Sequence, residues 1–253
     1  MKTLVIAGGT DGIGRALALA CLERGDTVVV VGRGEERAKE LLARRGVGAR
    51  VFFLKADLRL LAESRRVVEE VKERFPVVDA LVLCARCHRS ARVETAEGIE
   101  ENLALLYLSR YLLSHGLVES LVRAERPVIV NVAGSRVPLE AVRWDDLGLA
   151  RDYHGGVALG QGGTLNELLG VAFAETYGAG RIRYVLIAPA DIRSGSEEGV
   201  GETPASILAV VDDPPADPLS AFVEGRRTGV ADSPADRRAA ARLRELTRGL
   251  LTG

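Results

Sequence analysis

The chain has 253 residues, a hydrophobic content of 47% and a formal net charge of −1. This length allows one sizeable core or two small domains. The balanced charge excludes no fold, but it gives no reason to expect nucleic acid or a membrane as a partner. We recognise no signal peptide and no apolar stretch of membrane-spanning length, so we expect a cytoplasmic protein with reduced cysteines.

Strand patterns and helix patterns alternate along the chain. The predicted strands are apolar runs at 3–7, 27–31, 50–54, 79–84, 127–132 and 182–188. The predicted helices cover 12–24, 35–45, 60–74, 96–124, 165–177, 205–211 and 236–251. This alternation predicts an α/β fold, a single doubly wound Rossmann-type domain over 1–253 with a mostly parallel sheet. The stretch 195–219 is rich in Gly, Pro, Asp and Ser and is interpreted as a lid or variable loop.

The turn between the first predicted strand and helix carries the clearest motif. It reads Gly8-Gly9-Thr10-Asp11-Gly12-Ile13-Gly14. Glycines let the backbone approach a pyrophosphate, and the helix N-terminus supplies free N–H groups. In this context the motif predicts a dinucleotide site, with a tight turn that binds nothing as the alternative. The turn residues predicted to bind the cofactor are Gly8, Thr10, Asp11, Gly12 and Ile13.

The residue after the second predicted strand bears on the identity of the cofactor. An NAD site usually places an acid there for the ribose 2′-hydroxyl, whereas this chain has Arg33. A guanidinium pairs with a 2′-phosphate, so the sequence favours NADP(H), with a surface arginine as the alternative. Asp57 and Leu58 follow the third strand, where a side chain can meet the adenine ring.

These residues resemble the short-chain dehydrogenase/reductase family, in particular its retinol-dehydrogenase-like branch. The first turn looks like the family's Thr-Gly-x-x-x-Gly-Ile-Gly, and Asp57-Leu58 matches its adenine-contacting pair. The family's Asn-Asn-Ala-Gly corresponds to residues 83–86, which implies that Ala85 contacts the cofactor. The resemblance also implies a small-molecule substrate and a homodimer or homotetramer.

The same resemblance indicates that the family's catalytic residues are replaced. The branch reads Ala-Tyr-Gly-Gln-Ser-Lys-Leu-Ala-Asn, whereas residues 158–166 read Ala-Leu-Gly-Gln-Gly-Gly-Thr-Leu-Asn. Leu159 therefore stands at the tyrosine position and Gly163 at the lysine position. Gly134 stands at the catalytic serine position and Leu106 at the asparagine position. Because no lysine follows Lys72, the usual Tyr-x-x-x-Lys proton relay is excluded beyond that residue.

These replacements lead to two structural expectations. Glycines at 160, 162 and 163 each disfavour helix by about 1 kcal/mol relative to alanine, so the helix predicted at 165–177 has a loosened start. The missing side chains leave space that admits a larger substrate or a different cofactor pose.

Few groups near the expected cleft have acid or base chemistry. The candidate catalytic residues are Ser135, Tyr153 and His154, each with an ordinary loop or rim residue as the alternative. The Cys-x-x-Cys-His pattern at 84–88 is typical of covalent haem attachment, but a strand thiol is the simpler interpretation, and we expect neither haem nor a bound metal.

Three functions follow from the sequence. The first is an NADP(H)-binding protein repurposed for non-standard chemistry, such as cyclisation, dehydration or isomerisation of a small biosynthetic intermediate. The second is an atypical NADP(H)-dependent oxidoreductase that uses Ser135, Tyr153 or His154 in its relay. The third is a non-catalytic pseudoenzyme subunit.

Overall fold

The structure, a computed structural model, describes residues 1–43, 50–87, 89–134, 136–189 and 202–252. Its strands form one sheet of eight in the order β3-β2-β1-β4-β5-β6-β7-β8. The strands are β1 (Thr3–Ala7), β2 (Thr27–Gly32), β3 (Arg50–Lys55), β4 (Ala80–Leu83), β5 (Val128–Val132), β6 (Arg183–Ala188), β7 (Leu219–Val223) and β8 (Arg226–Thr228). Neighbouring strands are parallel except β7 and β8. The predicted α/β fold with a mostly parallel sheet is confirmed.

Helices cover both faces of this sheet. They are α1 (Gly12–Glu23), α2 (Glu35–Ala43), α3 (Leu61–Arg74), α4 (Glu101–Leu103), α5 (Ser109–Gly116), α6 (Val118–Leu121), α7 (Gly155–Tyr177), α8 (Glu202–Asp212) and α9 (Pro234–Thr252). Val5 and Ala7 of β1 belong to one apolar cluster, and Leu4 and Ile6 belong to another. Because successive side chains of a strand point to opposite faces, the two clusters are the cores on the two sides of the sheet. Among the described residues, no helix combines the length and apolarity needed to cross a membrane.

The helix predicted at 96–124 is interrupted in the structure. It starts at Glu101, where the Glu100 carboxylate accepts hydrogen bonds from the backbone N–H groups of Asn102 and Leu103. A π-helical turn (Ala104–Leu108) joins α4 to α5. Helix α5 ends at Gly116, where a β-carbon would lie 2.6 Å from Val68. Close packing against α3, which periodicity alone does not report, therefore leaves no room for a side chain at this end of α5.

Helix α7 begins earlier than the sequence predicts. It runs without a break from Gly155, and the side chain of His154 accepts a hydrogen bond from Gly156 N at its start. A β-carbon on Gly160 would lie 2.6 Å from the side chain of Val137. Tertiary packing over a helix this long outweighs the low propensity of its glycines, so the expectation of a loosened start is wrong.

The C-terminal part holds two strands that the sequence analysis missed. Glu224 and Gly225 have φ values of 50° and 72° and join β7 to β8 in a tight hairpin. Residues 195–201 of the predicted lid lie outside the described residues. The rest of that segment includes α8. Asp212, the last residue of α8, forms an ion pair at 2.6 Å with Arg24, which directly follows α1. The lid interpretation of 195–219 stays a prediction.

Candidate active site

The turn after β1 has the geometry that its glycines predict. Gly8 and Gly12 have φ values of 83° and 48°, in the left-handed region that favours glycine. A β-carbon on Gly8 would lie 2.5 Å from the backbone nitrogen of Ala85, and one on Gly14 would collide with the carbonyl oxygen of Gly8. The turn at Gly8–Gly14, called the cradle below, is therefore so tightly closed that no residue larger than glycine fits at Gly8 or Gly14.

Two side chains hold this cradle in place. The Asp11 carboxylate accepts a hydrogen bond from Gly12 N at 2.9 Å and ion-pairs with Arg37. Thr10 is buried against the end of β2, where a β-carbon on Gly32 would lie 2.8 Å from its Oγ1. The half-buried Ile13 packs on the core behind the turn. The free N–H groups at the start of α1 thus have a fixed position.

The predicted cofactor residues gather at one edge of the sheet. Arg33 follows β2 and is exposed, Asp57 follows β3, and Ala85 follows β4. Although burial opposes it, the hydrogen bonds and charge of Arg59, with the charge of Arg33, lower the pKa of Asp57. Leu58 is only 3% exposed and belongs to the core. The carboxyl ends of parallel strands are where ligands bind in open α/β folds.

A cavity of about 360 Å3 lies beside this edge. It is lined by Arg86, Leu106, Arg110, Val132, Ala133, Gly134, Arg136, Val137, Gly156, Leu159, Gly160, Gly162, Gly163, Asn166, Ala188 and Pro189. Its size falls in the range of about 300–1,000 Å3 that is usual for small-molecule pockets. Leu106, Gly134, Leu159 and Gly163 all belong to this wall. The structure therefore brings together the four positions at which the family resemblance predicts replaced catalytic residues. Among the described lining residues, none carries a phenol, an amine, a hydroxyl or a carboxylate.

A buried arginine on α5 forms the charged end of this cavity. Arg110 is 2% exposed and donates hydrogen bonds to the amide oxygen of Asn131, to Val132 O at 2.8 Å and to Ala85 O at 3.0 Å. Burial, together with a smaller contribution from the charge of Arg86, lowers the pKa of Arg110 to about 10. The guanidinium still carries its charge at neutral pH.

The amide of Asn131 connects this arginine to the core of α7. Its Nδ2 donates to Asn166 Oδ1 and to the hydroxyl of Tyr184, both at 2.9 Å. Asn166 in turn donates to Leu106 O at 2.8 Å, inside the π-helical turn. Sequence reasoning missed this network. The available signals were a lone arginine in the leucine-rich α5 region and an asparagine inside the apolar strand β5.

Comparison with known proteins agrees with this architecture. Residues 2–140 match the short chain dehydrogenase family. The chain belongs to this family. The prediction of a short-chain dehydrogenase/reductase relative is therefore confirmed.

Two individual relatives match parts of this chain. A Streptomyces sp. (strain C5) protein, provisionally named daunorubicin C-13 ketoreductase DnrU, is 34% identical over 47% of this chain and 42% of its own length. Oxidoreductase andH of Emericella variicolor is 29% identical over 81% of this chain and 62% of its own. The chain spans about half the length of the curated relatives it matches.

A solved structure shares the fold over the whole chain. A short-chain dehydrogenase from Sphingobium yanoikuyae in complex with NADPH has a TM-score of 0.66 and 22% sequence identity, and the match covers 100% of this chain and 96% of that one. At this level of sequence identity, the similarity between the two chains is evidence for a shared fold alone.

Tyr153 and His154, two of the three predicted catalytic residues, do not belong to the described lining of the cavity. The Tyr153 hydroxyl accepts a hydrogen bond from Asn102 Nδ2 at 2.7 Å and lies 3.3 Å from the Glu100 carboxylate. Burial and the Glu100 charge raise the pKa of Tyr153 to about 12. His154 is exposed and caps α7, and Ser135 lies outside the described residues. Their catalytic roles stay predictions.

The cysteine motif has no metal-binding surroundings within the described part of the chain. Burial raises the pKa of Cys84 to about 12, and Cys87 Sγ lies 3.5 Å from Asn102 Oδ1. His88 lies outside the described residues. No group of three or more potential metal ligands occurs among those that are described.

Proposed function

We propose that this chain binds NADP(H) at the turn after β1 and a small organic molecule in the adjoining cavity. We further propose that it catalyses a reaction other than carbonyl reduction through a Tyr-Lys relay, such as a cyclisation, a dehydration or an isomerisation. The observation that carries this proposal is the cavity wall. Leu106, Gly134, Leu159 and Gly163 lie together there, at the positions that the family motif assigns to its proton relay.

The cradle supports the cofactor part of the proposal. Gly8 and Gly14 let the turn close on its own backbone, because a β-carbon on Gly8 would lie 2.5 Å from Ala85 N and one on Gly14 would collide with Gly8 O. This close packing would hold the N–H groups at the start of α1 in position for a pyrophosphate. Arg33 is exposed at the same sheet edge as Asp57, where it would pair with a 2′-phosphate. Hydride transfer is the chemistry that NADPH itself can supply, and the chain's own residues would set its position and surroundings.

The prediction for the cofactor concerns Arg33. We expect Arg33→Ala to weaken NADP+ binding by about tenfold to a hundredfold, because a charge-assisted pair contributes roughly 1.5–3 kcal/mol. NAD+ has no 2′-phosphate, so its affinity should not change. Isothermal titration calorimetry with both nucleotides measures the two effects, and Arg248→Ala on α9 is the matched surface control. Equal losses for both nucleotides would contradict the assignment of Arg33.

The cavity also favours a second candidate function, an atypical NADP(H)-dependent oxidoreductase. The buried guanidinium of Arg110 lines the cavity and can stabilise negative charge that develops on a carbonyl oxygen. The names of the relatives, a ketoreductase and an oxidoreductase, agree with this alternative. The two functions differ in whether a hydride is transferred.

Restoring the relay separates these functions. We expect the wild type to oxidise NADPH with a panel of aromatic ketones no faster than buffer does. The double variant Leu159→Tyr with Gly163→Lys should then gain activity, since general acid–base groups contribute about 100-fold to 10,000-fold to rates. Absorbance of NADPH follows the reaction, and Leu159→Phe with Gly163→Met controls for filling the cavity. Wild-type turnover at an ordinary rate of about 1 s⁻¹ or more would support the oxidoreductase instead.

A further inference from the structure

The charges along the cavity are unbalanced. Three arginines line it, and no carboxylate does so within the described part of the wall. Arg136 is neutralised by Glu167, whose carboxylate lies 2.9 Å away. Arg86 and Arg110 have no ion pair among the described residues. The described part of the cavity wall therefore carries a net positive charge, in a chain whose overall net charge is −1.

Arg110 is an unusual residue in this wall because it is buried without an anion. Its terminal nitrogens donate to neutral acceptors, two backbone carbonyl oxygens and the Asn131 amide oxygen. Its Nε has no hydrogen-bond partner among the described residues. A buried charge normally pairs with an opposite charge, because desolvation otherwise opposes its burial. The exposed Arg86 adds a second positive charge, which is close enough to disfavour the charged form of Arg110.

The surrounding network holds this guanidinium in place rather than neutralising it. Asn131 is fixed by Asn166 and Tyr184, and Asn166 is fixed by the backbone of the π-helical turn. A donor that is already oriented and desolvated binds an anion without further ordering of the side chain. Such π-helical turns are frequent at functional sites.

We propose that the cavity binds an organic anion, whose carboxylate or phosphate group is held by Arg86 and Arg110. The apolar wall formed by Leu106, Val137 and Leu159 contacts the hydrocarbon part of the same molecule. This inference rests on the proposed function and names the substrate class of its cavity: a small molecule with one anionic group and an apolar body.

Calorimetric titrations with matched probes test the charge requirement. Benzoate and phenyl phosphate carry an anionic group on an apolar ring, benzyl alcohol carries none, and inorganic phosphate has no apolar body. We expect benzoate or phenyl phosphate to bind at least about tenfold more tightly than benzyl alcohol, as charge-assisted hydrogen bonds imply. Inorganic phosphate should bind more weakly than phenyl phosphate. Equal affinity for benzoate, phenyl phosphate and benzyl alcohol would overturn the proposal.

Three variants locate the site. Arg86→Gln at the exposed rim and Arg110→Met in the buried wall should each weaken binding of the preferred anion by about tenfold or more. Arg248→Gln on the exposed side of α9 is the matched control and should leave that affinity unchanged, because Arg248 does not belong to the described lining of the cavity. If Arg110→Met does not fold, Arg86→Gln alone decides the outcome. Unchanged anion affinity in Arg86→Gln would overturn the proposal.

Titrations of NADP+ keep this inference separate from the proposed function. Arg86→Gln should bind NADP+ as the wild type does. If it loses NADP+ affinity and keeps anion affinity, Arg86 serves the cofactor's phosphates and the inference fails. If the wild type binds no NADP+ but binds benzoate or phenyl phosphate in an Arg86-dependent way, the proposed function fails and the anion site stands.

Discussion

The variant Gly14→Ala should lose NADP+ binding by about a hundredfold or more, because the cradle can no longer close around a pyrophosphate. The new β-carbon would collide with the carbonyl oxygen of Gly8 and would lie 2.9 Å from its carbonyl carbon. Backbone atoms cannot rotate away as a flexible side chain can. The turn must therefore widen, and the N–H groups at the start of α1 move with it.

Stability and binding should both respond to this change. Overpacking of this kind costs about 1–3 kcal/mol of unfolding free energy. Calorimetry with NADP+ and urea unfolding measure the two effects. The matched control is Gly249→Ala on the exposed side of α9, where nothing lies within 4 Å of an added β-carbon. That variant should bind NADP+ normally and gain up to about 1 kcal/mol from helix propensity. Wild-type NADP+ affinity in Gly14→Ala would contradict the cradle.

The variant Asn131→Ala should destabilise the fold by about 1.5–3 kcal/mol, since it removes a hydrogen-bond acceptor of a buried charge. Asn131 is 0% exposed and joins Arg110, Asn166 and Tyr184. Its loss leaves the Asn166 amide oxygen and part of the Arg110 guanidinium without their partners. Networks of this kind are stable only when each member is satisfied.

The comparison with Tyr184→Phe makes this prediction specific. That variant removes one hydroxyl from the same network and leaves Arg110 with all its acceptors, so it should cost only about 1 kcal/mol. Urea unfolding of both variants gives the two free energies. Equal losses would show that Asn131 contributes packing alone and that the charge of Arg110 does not depend on it.

Much of the fold could be predicted because local patterns agree with the tertiary structure. β1 and β2 are apolar on both faces, as buried parallel strands are, and α3 carries its buried residues at helical spacing. The turn at Gly8–Gly14 was predictable because its glycines are needed by backbone geometry, which is a local property. The end of β2 at Gly32, which Arg33 follows, could likewise be predicted from the local sequence.

The parts that the sequence did not predict depend on contacts between distant residues. Helix α7 begins at Gly155 and includes Gly160, which packs against Val137, although glycine has a low helix propensity. The short strand β8 is exposed along its length and carries no apolar pattern. Only the structure shows that Arg110 belongs to the candidate site, since an arginine in a helix is ordinarily a surface residue.

The candidate site therefore has two halves. The half at the turn after β1 carries Gly8, Gly12 and Gly14, the glycines from which we propose dinucleotide binding. The half at the cavity includes the buried Arg110 together with Leu159 and Gly163, which the family resemblance aligns with a phenol and an amine. A homodimer or homotetramer and a cytoplasmic location stay predictions.

A crystal structure of the chain grown with NADP+ tests this division most directly. We predict the pyrophosphate on the turn at Gly8–Gly14, the 2′-phosphate within hydrogen-bond distance of Arg33, and the nicotinamide in the cavity against Leu159 and Gly163. No phenol or imidazole should contact the nicotinamide. A nicotinamide held outside the cavity, or one that contacts the Tyr153 hydroxyl or the His154 ring, would contradict the account.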